Sequence, residues 1–177
     1  MQPSLTPARK ICVVTGTRAE YGLLRGILHQ LHNDPGVELQ VIATGMHLAI
    51  EYGQTITEIE ADGFPVADRI PILVLGDNAS ATARSVALGL IGFIDSLERL
   101  APDILVVLGD RFEILSACQA AMFAQIPIAH IHGGEITEGA VDDTIRHMIT
   151  KMAHIHFSAA KEYRDRIIQM GENPERV

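Results

Sequence analysis

The chain reads Pro-Asp-Ile-Leu-Val-Val-Leu-Gly-Asp-Arg at residues 102–111. Ile104 to Leu108 is an unbroken apolar run rich in β-branched residues, and polar residues bound it at both ends. A strand that is buried on one face alternates between apolar and polar residues, whereas a strand buried on both faces does not. We therefore predict a central strand of a parallel sheet at residues 104–108, with Gly109 and Asp110 directly after its carboxyl end.

Strand and helix patterns alternate on both sides of this run. Short apolar, β-branched runs predict strands at 11–14, 37–43, 104–108, 126–131 and 154–158, and residues 65–75 are expected to hold a further strand with some irregular chain. Apolar residues at helical spacing predict helices at 20–32, 54–61, 79–100, 112–124, 142–153 and 160–170. We expect Ser80 to cap the longest of these helices. This alternation indicates an α/β fold with a doubly wound, mostly parallel sheet that carries helices on both faces.

Composition narrows the class of protein further. The 177 residues suit one domain, and we expect residues 1–9 to be a disordered leader before a domain at 10–177. The net charge of −8 argues against nucleic acid or an anionic membrane as a partner. No apolar run reaches the ~18 residues of a membrane span, and the leader lacks the apolar segment of a signal peptide. Cys12 and Cys118 lie in apolar runs, which favours buried, reduced thiols in a cytoplasmic protein.

Polar residues follow the predicted strands at their carboxyl ends. In open parallel sheets these ends share one edge, and ligands bind beside that edge. The residues that the pattern places there are Arg18, His47, Asp110, Arg111, His132, Glu135, Asp142 and Asp143. Several carboxylates and histidines on one edge predict a site more strongly than any single polar loop residue does.

The loop from Thr15 to Gly22 follows the first strand and could direct backbone N–H groups at an anion. It lacks the three spaced glycines of a dinucleotide fingerprint and the Gly-Lys-Ser/Thr of a Walker loop. The sequence therefore argues against NAD or ATP at this loop. Arg18 could bind a phosphate or carboxylate through two hydrogen bonds, and the alternative is a solvated loop arginine.

Asp110 has two interpretations of equal weight. Its carboxylate could lie half-buried at the sheet edge, where the environment can tune its pKa for chemistry. Alternatively, Asp110 could be the N-cap of helix 112–124. Glu113 stands at the spacing of a capping-box partner, which favours a structural role for Glu113 itself.

His130 and His132 lie two residues apart and would share one face of a strand. Together with Glu135 they could suggest zinc, but the spacing matches no zinc template and both cysteines are distant in sequence. We therefore predict no metal, a buried and hydrogen-bonded His130, and a His132 at the sheet edge that acts on a substrate. Gly133 and Gly134 would let the backbone approach a ligand closely.

Asp143, Arg146 and His147 would share one face of helix 142–153, at positions i, i+3 and i+4. One interpretation places this face against a substrate at the sheet edge. The alternative is a stripe of salt bridges on the protein surface.

Five motifs resemble, in order, those of the hydrolysing UDP-N-acetylglucosamine 2-epimerases, within the wider UDP-sugar 2-epimerase family. They are Thr-Gly-Thr-Arg-Ala-Glu-Tyr-Gly (15–22), Gly-Met-His-Leu (45–48), Gly-Asp-Arg-Phe-Glu (109–113), His-Ile-His-Gly-Gly-Glu (130–135) and Asp-Asp-Thr-Ile-Arg-His (142–147). The resemblance covers residues 10–177. It implies a GT-B-type fold, in which two Rossmann-like domains enclose the active site. Residues 10–177 would be the N-terminal domain, and the second, nucleotide-binding domain would be absent from this chain.

The resemblance also implies a reaction. UDP leaves the sugar C1 as the C2 proton is lost, and water then adds to the resulting 2-acetamidoglucal with inversion at C2. The products are UDP and N-acetylmannosamine, and the sugar feeds sialic or nonulosonic acid biosynthesis. No cofactor is expected for this reaction. Close relatives act instead on UDP-2,4-diacetamido sugars, and we keep this substrate as an alternative. We expect the 177 residues alone to be inactive.

The family's catalytic carboxylates fall on Asp110, Glu135 and Asp142. Some members carry Glu where this chain has His132, so we assign that role to Glu135. Asp110 would remove the C2 proton, while Glu135 and Asp142 would serve hydration and charge stabilisation. The substrate-binding residues implied by the resemblance are Arg18, His47, Arg111, His132, Asp143, Arg146 and His147.

Two other classes of function remain open. A non-catalytic nucleotide-sugar binding module and one half of a GT-B glycosyltransferase would both suit the same α/β pattern. The helix at 79–100 carries Gly89, Leu90, Gly92 and Phe93, which could form a contact between two copies of the chain. The alternative is that these residues pack on the helix's own sheet.

Overall fold

The computed structural model describes residues 7–137 and 141–177. Its strands are β1 (Arg9–Thr15), β2 (Val37–Thr44), β3 (Val66–Ile70), β4 (Ile104–Leu108), β5 (Ile128–Ile131) and β6 (Ile155–Phe157). Its α-helices are α1 (Arg18–Asn33), α2 (Ile56–Ala61), α3 (Ala79–Leu100), α4 (Phe112–Phe123), α5 (Val141–Met152) and α6 (Lys161–Gln169). Within the described ranges, no helix is both long and apolar enough to cross a bilayer.

The strands form one six-stranded sheet in the order β3-β2-β1-β4-β5-β6, and each neighbouring pair is parallel. The chain runs outward from β1 to β3, returns, and then runs outward from β4 to β6. The predicted doubly wound sheet is therefore confirmed. The turning point lies between β1 and β4, and a crevice at the carboxyl ends of these two strands is the usual ligand site of such folds.

Each face of the sheet has its own apolar core. On one face, Cys12 and Val14 of β1 pack in a cluster with Phe93 and Leu97 of α3 and with residues of α4 and α5. On the other face, Val13 packs with residues of α1 and α2. Alternate residues of the same strand thus enter opposite cores, which explains why the buried strands lack polar alternation.

Three local predictions need correction or restriction. The N-cap of α3 is Asn78 and not Ser80, because the Asn78 side chain accepts a 3.0 Å hydrogen bond from the Ala81 N–H. Within the segment 65–75, the expected strand is Val66–Ile70 and the irregular chain follows it, because Pro71 has no N–H for the sheet ladder. Of the predicted leader, residues 1–6 lie outside the described residues, whereas Arg9 already pairs with Val37 in the sheet.

The glycine face of α3 packs inward. Gly89 is buried, and a Cβ on it would lie 2.8 Å from the Ser116 side chain of α4. Phe93 is fully buried in the core of that face. These residues therefore pack on the helix's own domain, and a contact between two copies along residues 79–100 stays a prediction. The large apolar residues that α3 exposes are Leu88 and Ile91.

Candidate active site

Asp110 lies at the carboxyl end of β4, where Gly109 turns the chain with a positive φ of 80°. Its carboxylate forms an ion pair with Arg146 of α5, and the Asp110 side chain is only 18% exposed. Burial raises the pKa of Asp110, the Arg146 guanidinium opposes that rise, and the neighbouring Asp142 carboxylate adds to it. The N-cap position of α4 is taken by Arg111 without a side-chain cap. The structure thus places Asp110 as a half-buried carboxylate and not as a helix cap.

Arg146 connects the loops that follow β4 and β5. Its Nη1 donates a 2.7 Å hydrogen bond to the His132 carbonyl and lies 3.7 Å from Glu135 Oε2. Its Nη2 pairs with Asp110 and lies 3.4 Å from the Thr137 hydroxyl. The side chain is 8% exposed, so Arg146 is not part of a surface stripe. One buried cation therefore holds two of the three predicted catalytic carboxylates, Asp110 and Glu135, around itself.

His132 and Glu135 form a second pair beside this cation. The His132 Nδ1 lies 2.6 Å from Glu135 Oε1, and both side chains are partly exposed. His132 has a φ of +64°, which is costly for a residue with a side chain. Such strain is often found where a side chain must be held for function. The structure places His132 and Glu135 together at the sheet edge, as the sequence predicts.

His130 is fully buried and supports this edge from below. Its Nε2 donates a 2.7 Å hydrogen bond to the Gly109 carbonyl, just before Asp110. Burial lowers the pKa of His130 to about 4, so the ring is neutral at physiological pH. The prediction of a buried, hydrogen-bonded His130 is confirmed. Among the residues that the structure describes, no three His, Cys, Asp or Glu side chains are grouped as a metal site requires.

The two acidic residues at the start of α5, Asp142 and Asp143, have different neighbours. Asp142 is close enough to Asp110 and Arg111 to affect the pKa of both. Asp143 accepts a 3.2 Å hydrogen bond from the Thr137 N–H, and its Oδ2 lies 4.0 Å from His147. Asp143 and His147 also line a cavity of about 520 Å³ with Met148, Lys151 and Met170. Of the predicted trio on α5, only Arg146 faces Asp110.

Arg111 and the buried Glu113 form an ion pair at the start of α4. Arg111 donates to both carboxylate oxygens of Glu113, at 3.2 Å and 3.0 Å. Glu113 is the second residue of α4 rather than the third after its cap, so it cannot complete the predicted capping box. The pair instead presents the Arg111 guanidinium, whose side chain is 33% exposed, next to Asp110.

Glu20 is a buried carboxylate that the sequence analysis missed. It completes a capping box with Thr17 at the start of α1 and accepts a 2.8 Å hydrogen bond from the Gly16 N–H. Burial, with repulsion from Glu113, raises its pKa to about 7. The pattern Thr17-x-x-Glu20 was the available signal, since a Thr followed three residues later by Glu is typical of such caps.

The two remaining predicted residues are Arg18 and His47, and their polar contacts are made with residues other than Asp110. Arg18 is 73% exposed at the first position of α1 and forms a 2.9 Å ion pair with Glu58, so here it is a solvated arginine. His47 is fully buried, with its two ring nitrogens 3.0 Å from the Thr15 hydroxyl and 2.7 Å from the Thr55 hydroxyl. Burial lowers the pKa of His47 to about 4. This histidine fixes the turn at Gly45–Leu48 from inside.

A comparison with protein families and with individual proteins gives concordant matches. The sequence model of the family described as UDP-N-acetylglucosamine 2-epimerase matches residues 29–177. The chain is 46% identical to a GDP/UDP-N,N'-diacetylbacillosamine 2-epimerase (hydrolyzing) of Campylobacter jejuni, and the match covers 96% of this chain and 44% of that protein. A UDP-N,N'-diacetylbacillosamine 2-epimerase (hydrolyzing) of Legionella pneumophila is 43% identical, with 96% and 45% covered. The chain thus spans less than half the length of these relatives.

Solved structures share the fold. A crystal structure described as a UDP-N-acetylglucosamine 2-epimerase from Listeria monocytogenes superposes with a TM-score of 0.84 at 21% identity, over 97% of this chain and 44% of that one. The UDP-GlcNAc 2-epimerase of Neisseria meningitidis, solved with UDP-GlcNAc bound, gives 0.83 at 18% identity, over 95% and 44%. These neighbours have the GT-B-type fold, so the predicted fold type is confirmed.

Proposed function

This chain belongs to the UDP-N-acetylglucosamine 2-epimerase family, and from this premise we propose that it forms the catalytic half of a hydrolysing UDP-sugar 2-epimerase. The observation that carries the proposal is the cluster of Asp110 and Glu135 around Arg146 at the carboxyl edge of the sheet. Carboxylates held at that edge are the groups that a coupled loss of UDP and of the C2 proton requires.

The chemistry follows from the sugar. No carbonyl acidifies the C2–H bond, so its cleavage must accompany departure of UDP and positive charge at C1. We assign removal of the C2 proton to Asp110, whose raised pKa makes its carboxylate a stronger base. Glu135, paired with His132, would activate the water whose oxygen adds to C1 while C2 takes up a proton on its opposite face, and Asp142 would stabilise positive charge. Once water has added to the glycal, the 2-epimeric amino sugar leaves beside UDP.

The substrate-binding residues divide into direct and indirect roles in this proposal. Arg111 and His132 have partly exposed polar atoms near Asp110 and would contact the sugar or diphosphate. Arg146 would position Asp110 and Glu135. Arg18 would release Glu58 to reach the diphosphate. His47 would act through the turn that it supports. Asp143 and His147 would act through the cavity on α5. We place these three residues farthest from the reacting atoms.

The nucleotide site is proposed to lie outside this chain. The chain spans 44% of the length of the Campylobacter jejuni relative, and in the resemblance the uridine belongs to a second domain. We therefore propose that residues 10–177 form the N-terminal domain and that the chain has no turnover by itself. Buried Cys12 and Cys118, both free thiols, support a cytoplasmic location.

Two substrates fit the class. The description of the matching family favours UDP-N-acetylglucosamine, with N-acetylmannosamine as product for sialic acid synthesis. A relative that is 41% identical, the polysialic acid biosynthesis protein P7 of Escherichia coli, supports such a route. The second candidate is the UDP-2,4-diacetamido sugar, because the Campylobacter jejuni and Legionella pneumophila relatives are named for it.

One assay tests the class of reaction. The full-length protein that contains this chain would be incubated with UDP-N-acetylglucosamine or the UDP-diacetamido sugar, and the products followed by NMR. We expect UDP and a free sugar with the opposite configuration at C2, carrying solvent deuterium at C2 in D2O. UDP release only with an acceptor would indicate a glycosyltransferase. Thermal stabilisation without turnover would indicate a binding module.

Self-association is a separate proposal. α3 exposes Leu88 and Ile91, which are 48% and 61% exposed on its outer face. A solvent-facing pair of this kind would be covered if two copies met along residues 79–100. Sedimentation of the full-length protein and of a Leu88→Asp variant tests this, with a dimer expected for the first and a monomer for the second.

A further inference from the structure

We propose that Arg166 of α6 is a positioning residue, which holds the turn formed by residues 132–135 and through that turn places Glu135 at the carboxyl edge of the sheet. This inference rests on the proposed function, because Glu135 is the carboxylate to which we assign hydration of the glycal. The residues that the sequence patterns predict for the site all lie outside α6, so the helix adds a component that those patterns do not contain.

The backbone of the 132–135 turn lies directly against α6. Gly134 is buried with a φ of +77°, and a Cβ on it would lie 2.8 Å from Ile167 Cγ1 and would overlap the Tyr163 carbonyl oxygen. Ile167 is itself fully buried. Only glycine lets a backbone approach a helix this closely. The place of the turn is therefore set by α6 as well as by the sheet.

Arg166 binds the turn at the residue before Glu135. Its Nη1 donates a hydrogen bond to the Gly134 carbonyl, and its guanidinium carbon lies 5.8 Å from the centre of the Tyr163 ring. A charged donor forms a stronger hydrogen bond than a neutral one. The Gly134 carbonyl and the Glu135 N–H belong to one planar peptide unit, which ends at the Glu135 Cα. By fixing this carbonyl, Arg166 fixes the plane from which the Glu135 side chain starts.

The other end of the turn shows why such support is needed. His132 has a φ of +64°, and strain of this kind persists only where the surrounding structure over-determines the backbone. The His132 N–H donates a 3.0 Å hydrogen bond to the Phe157 carbonyl of β6. The His132 carbonyl accepts a 2.7 Å hydrogen bond from Arg146 of α5. Arg166 adds the bond from α6, so three different elements hold the turn.

The position of Glu135 decides its contacts. Its Oε1 lies 2.6 Å from His132 Nδ1, and its Oε2 lies 3.7 Å from Arg146 Nη1. Misplacement of a catalytic group by about 1 Å can lower a rate by about 100-fold. Because we assign Glu135 to hydration, a loosened turn should slow the addition of water more than the loss of UDP. The glycal would then leave the enzyme before water adds to it.

Arg166→Met in the full-length protein tests this role, with the products of the UDP-sugar followed by NMR. We expect kcat for the epimeric sugar to fall about 10–100-fold, KM to change less than about threefold, and the share of glycal among the products to rise about fivefold. Arg166→Lys keeps a cationic donor and should recover part of both effects. Lys161→Met is the control, because Lys161 is 84% exposed on the same helix and pairs with Asp165 within it.

The outcomes separate positioning from folding and from the reaction itself. Wild-type kcat and product ratio in a folded Arg166→Met protein would overturn the proposal. A fall in kcat that only follows the loss of folded protein, with an unchanged product ratio, would also overturn it, because the effect would then be purely structural.

Release of UDP from neither UDP-N-acetylglucosamine nor the UDP-diacetamido sugar by the wild type would overturn the proposed function and leave the contact to be decided by hydrogen–deuterium exchange. The amides of residues 132–135 should exchange about tenfold faster in Arg166→Met than in the wild type, while those of β4 stay unchanged. Equal exchange at residues 132–135 in the two proteins would refute the hold of Arg166 on the turn.

Discussion

Asp110 and Arg146, which are 36 residues apart in sequence, form an ion pair across the carboxyl edge of the sheet. Asp110 ends the central strand β4, and Arg146 lies in α5 with its side chain 8% exposed. The pair ties the carboxyl edge of the sheet to the helix that carries Asp142. The Arg146 guanidinium also opposes the rise in the pKa of Asp110 that burial causes.

The first prediction concerns the proposed base. Asp110→Asn in the full-length enzyme should lower kcat by about 10²–10⁴-fold, because an amide cannot accept the C2 proton. Circular dichroism should be unchanged, since Asn keeps the size of the side chain. Asp95→Asn on the exposed side of α3 is the control and should retain full activity. Undiminished turnover by a folded Asp110→Asn protein would rule out Asp110 as the base.

The second prediction concerns the coupling within the pair. Arg146→Met removes a buried cation and leaves Asp110 as an uncompensated charge, so we expect a loss of about 3–5 kcal/mol in the free energy of unfolding. Adding Asp110→Asn to that variant should recover part of the loss. Urea unfolding of the two single variants and the double variant measures the coupling. Additive effects would show that the two side chains do not interact in solution.

The third prediction concerns the turn after β2. Gly45 has a φ of +55°, and a Cβ there would lie 3.0 Å from the Gly16 carbonyl and 2.9 Å from Glu113. Gly45→Ala should therefore destabilise the protein by about 1–3 kcal/mol through backbone strain and overlap together. Gly53→Ala is a matched control, because Gly53 has a φ of +84° but its Cβ would meet no atom within 4 Å. Equal losses in thermal unfolding of both variants would refute the role of the contact with Glu113.

Much of the fold could be predicted from the sequence, because its signals are local. The apolar run at 104–108 and the helical spacing at 79–100 each depend on a single element, and both boundaries are confirmed. Helix N-caps are harder to predict, because the N-cap residue and the residues of the first helical turn are neighbours in sequence. Asn78 and Ser80 both suit an N-cap by composition, and only the hydrogen bond to Ala81 distinguishes them.

The candidate site could be predicted as a set of residues but not as a set of contacts. Strand order brings Asp110, His132 and Glu135 to one edge, and the parallel pattern already implies this. That Arg146 turns inward to Asp110 while His147 lines another cavity depends on how α5 packs. The partner of Glu113 is equally hard to predict from the sequence. Backbone N–H groups at the start of a helix and the Arg111 guanidinium are both suitable donors to a carboxylate, and in the structure Arg111 is the donor.

The fourth prediction concerns His130 and pH. Burial holds the pKa of His130 at about 4 in the fold, against an ordinary value of 6.5. Between pH 4 and pH 6.5, His130 is therefore protonated in the unfolded chain but not in the fold. The contribution of the neutral ring to the free energy of unfolding is complete above pH 6.5 and is lost as pH falls towards 4. The loss is on the order of 3 kcal/mol for a full shift of this size. Glu20 has the opposite effect, because its pKa of about 7 favours the protonated fold as pH falls.

A comparison of the wild type with a His130 variant separates the contribution of His130 to the pH dependence of stability from that of Glu20. His130→Asn keeps a donor for the Gly109 carbonyl and removes the titrating ring, while Glu20 and His47 remain in both proteins. From pH 7 to pH 5, the free energy of unfolding of the 177-residue chain should fall less in this variant than in the wild type. Ring ¹⁵N NMR of the wild type gives the same answer independently of folding of the variant. A His130 ring that becomes protonated near pH 6.5 would contradict the prediction, because the Gly109 carbonyl before Asp110 would then be held by a charged and hydrated side chain.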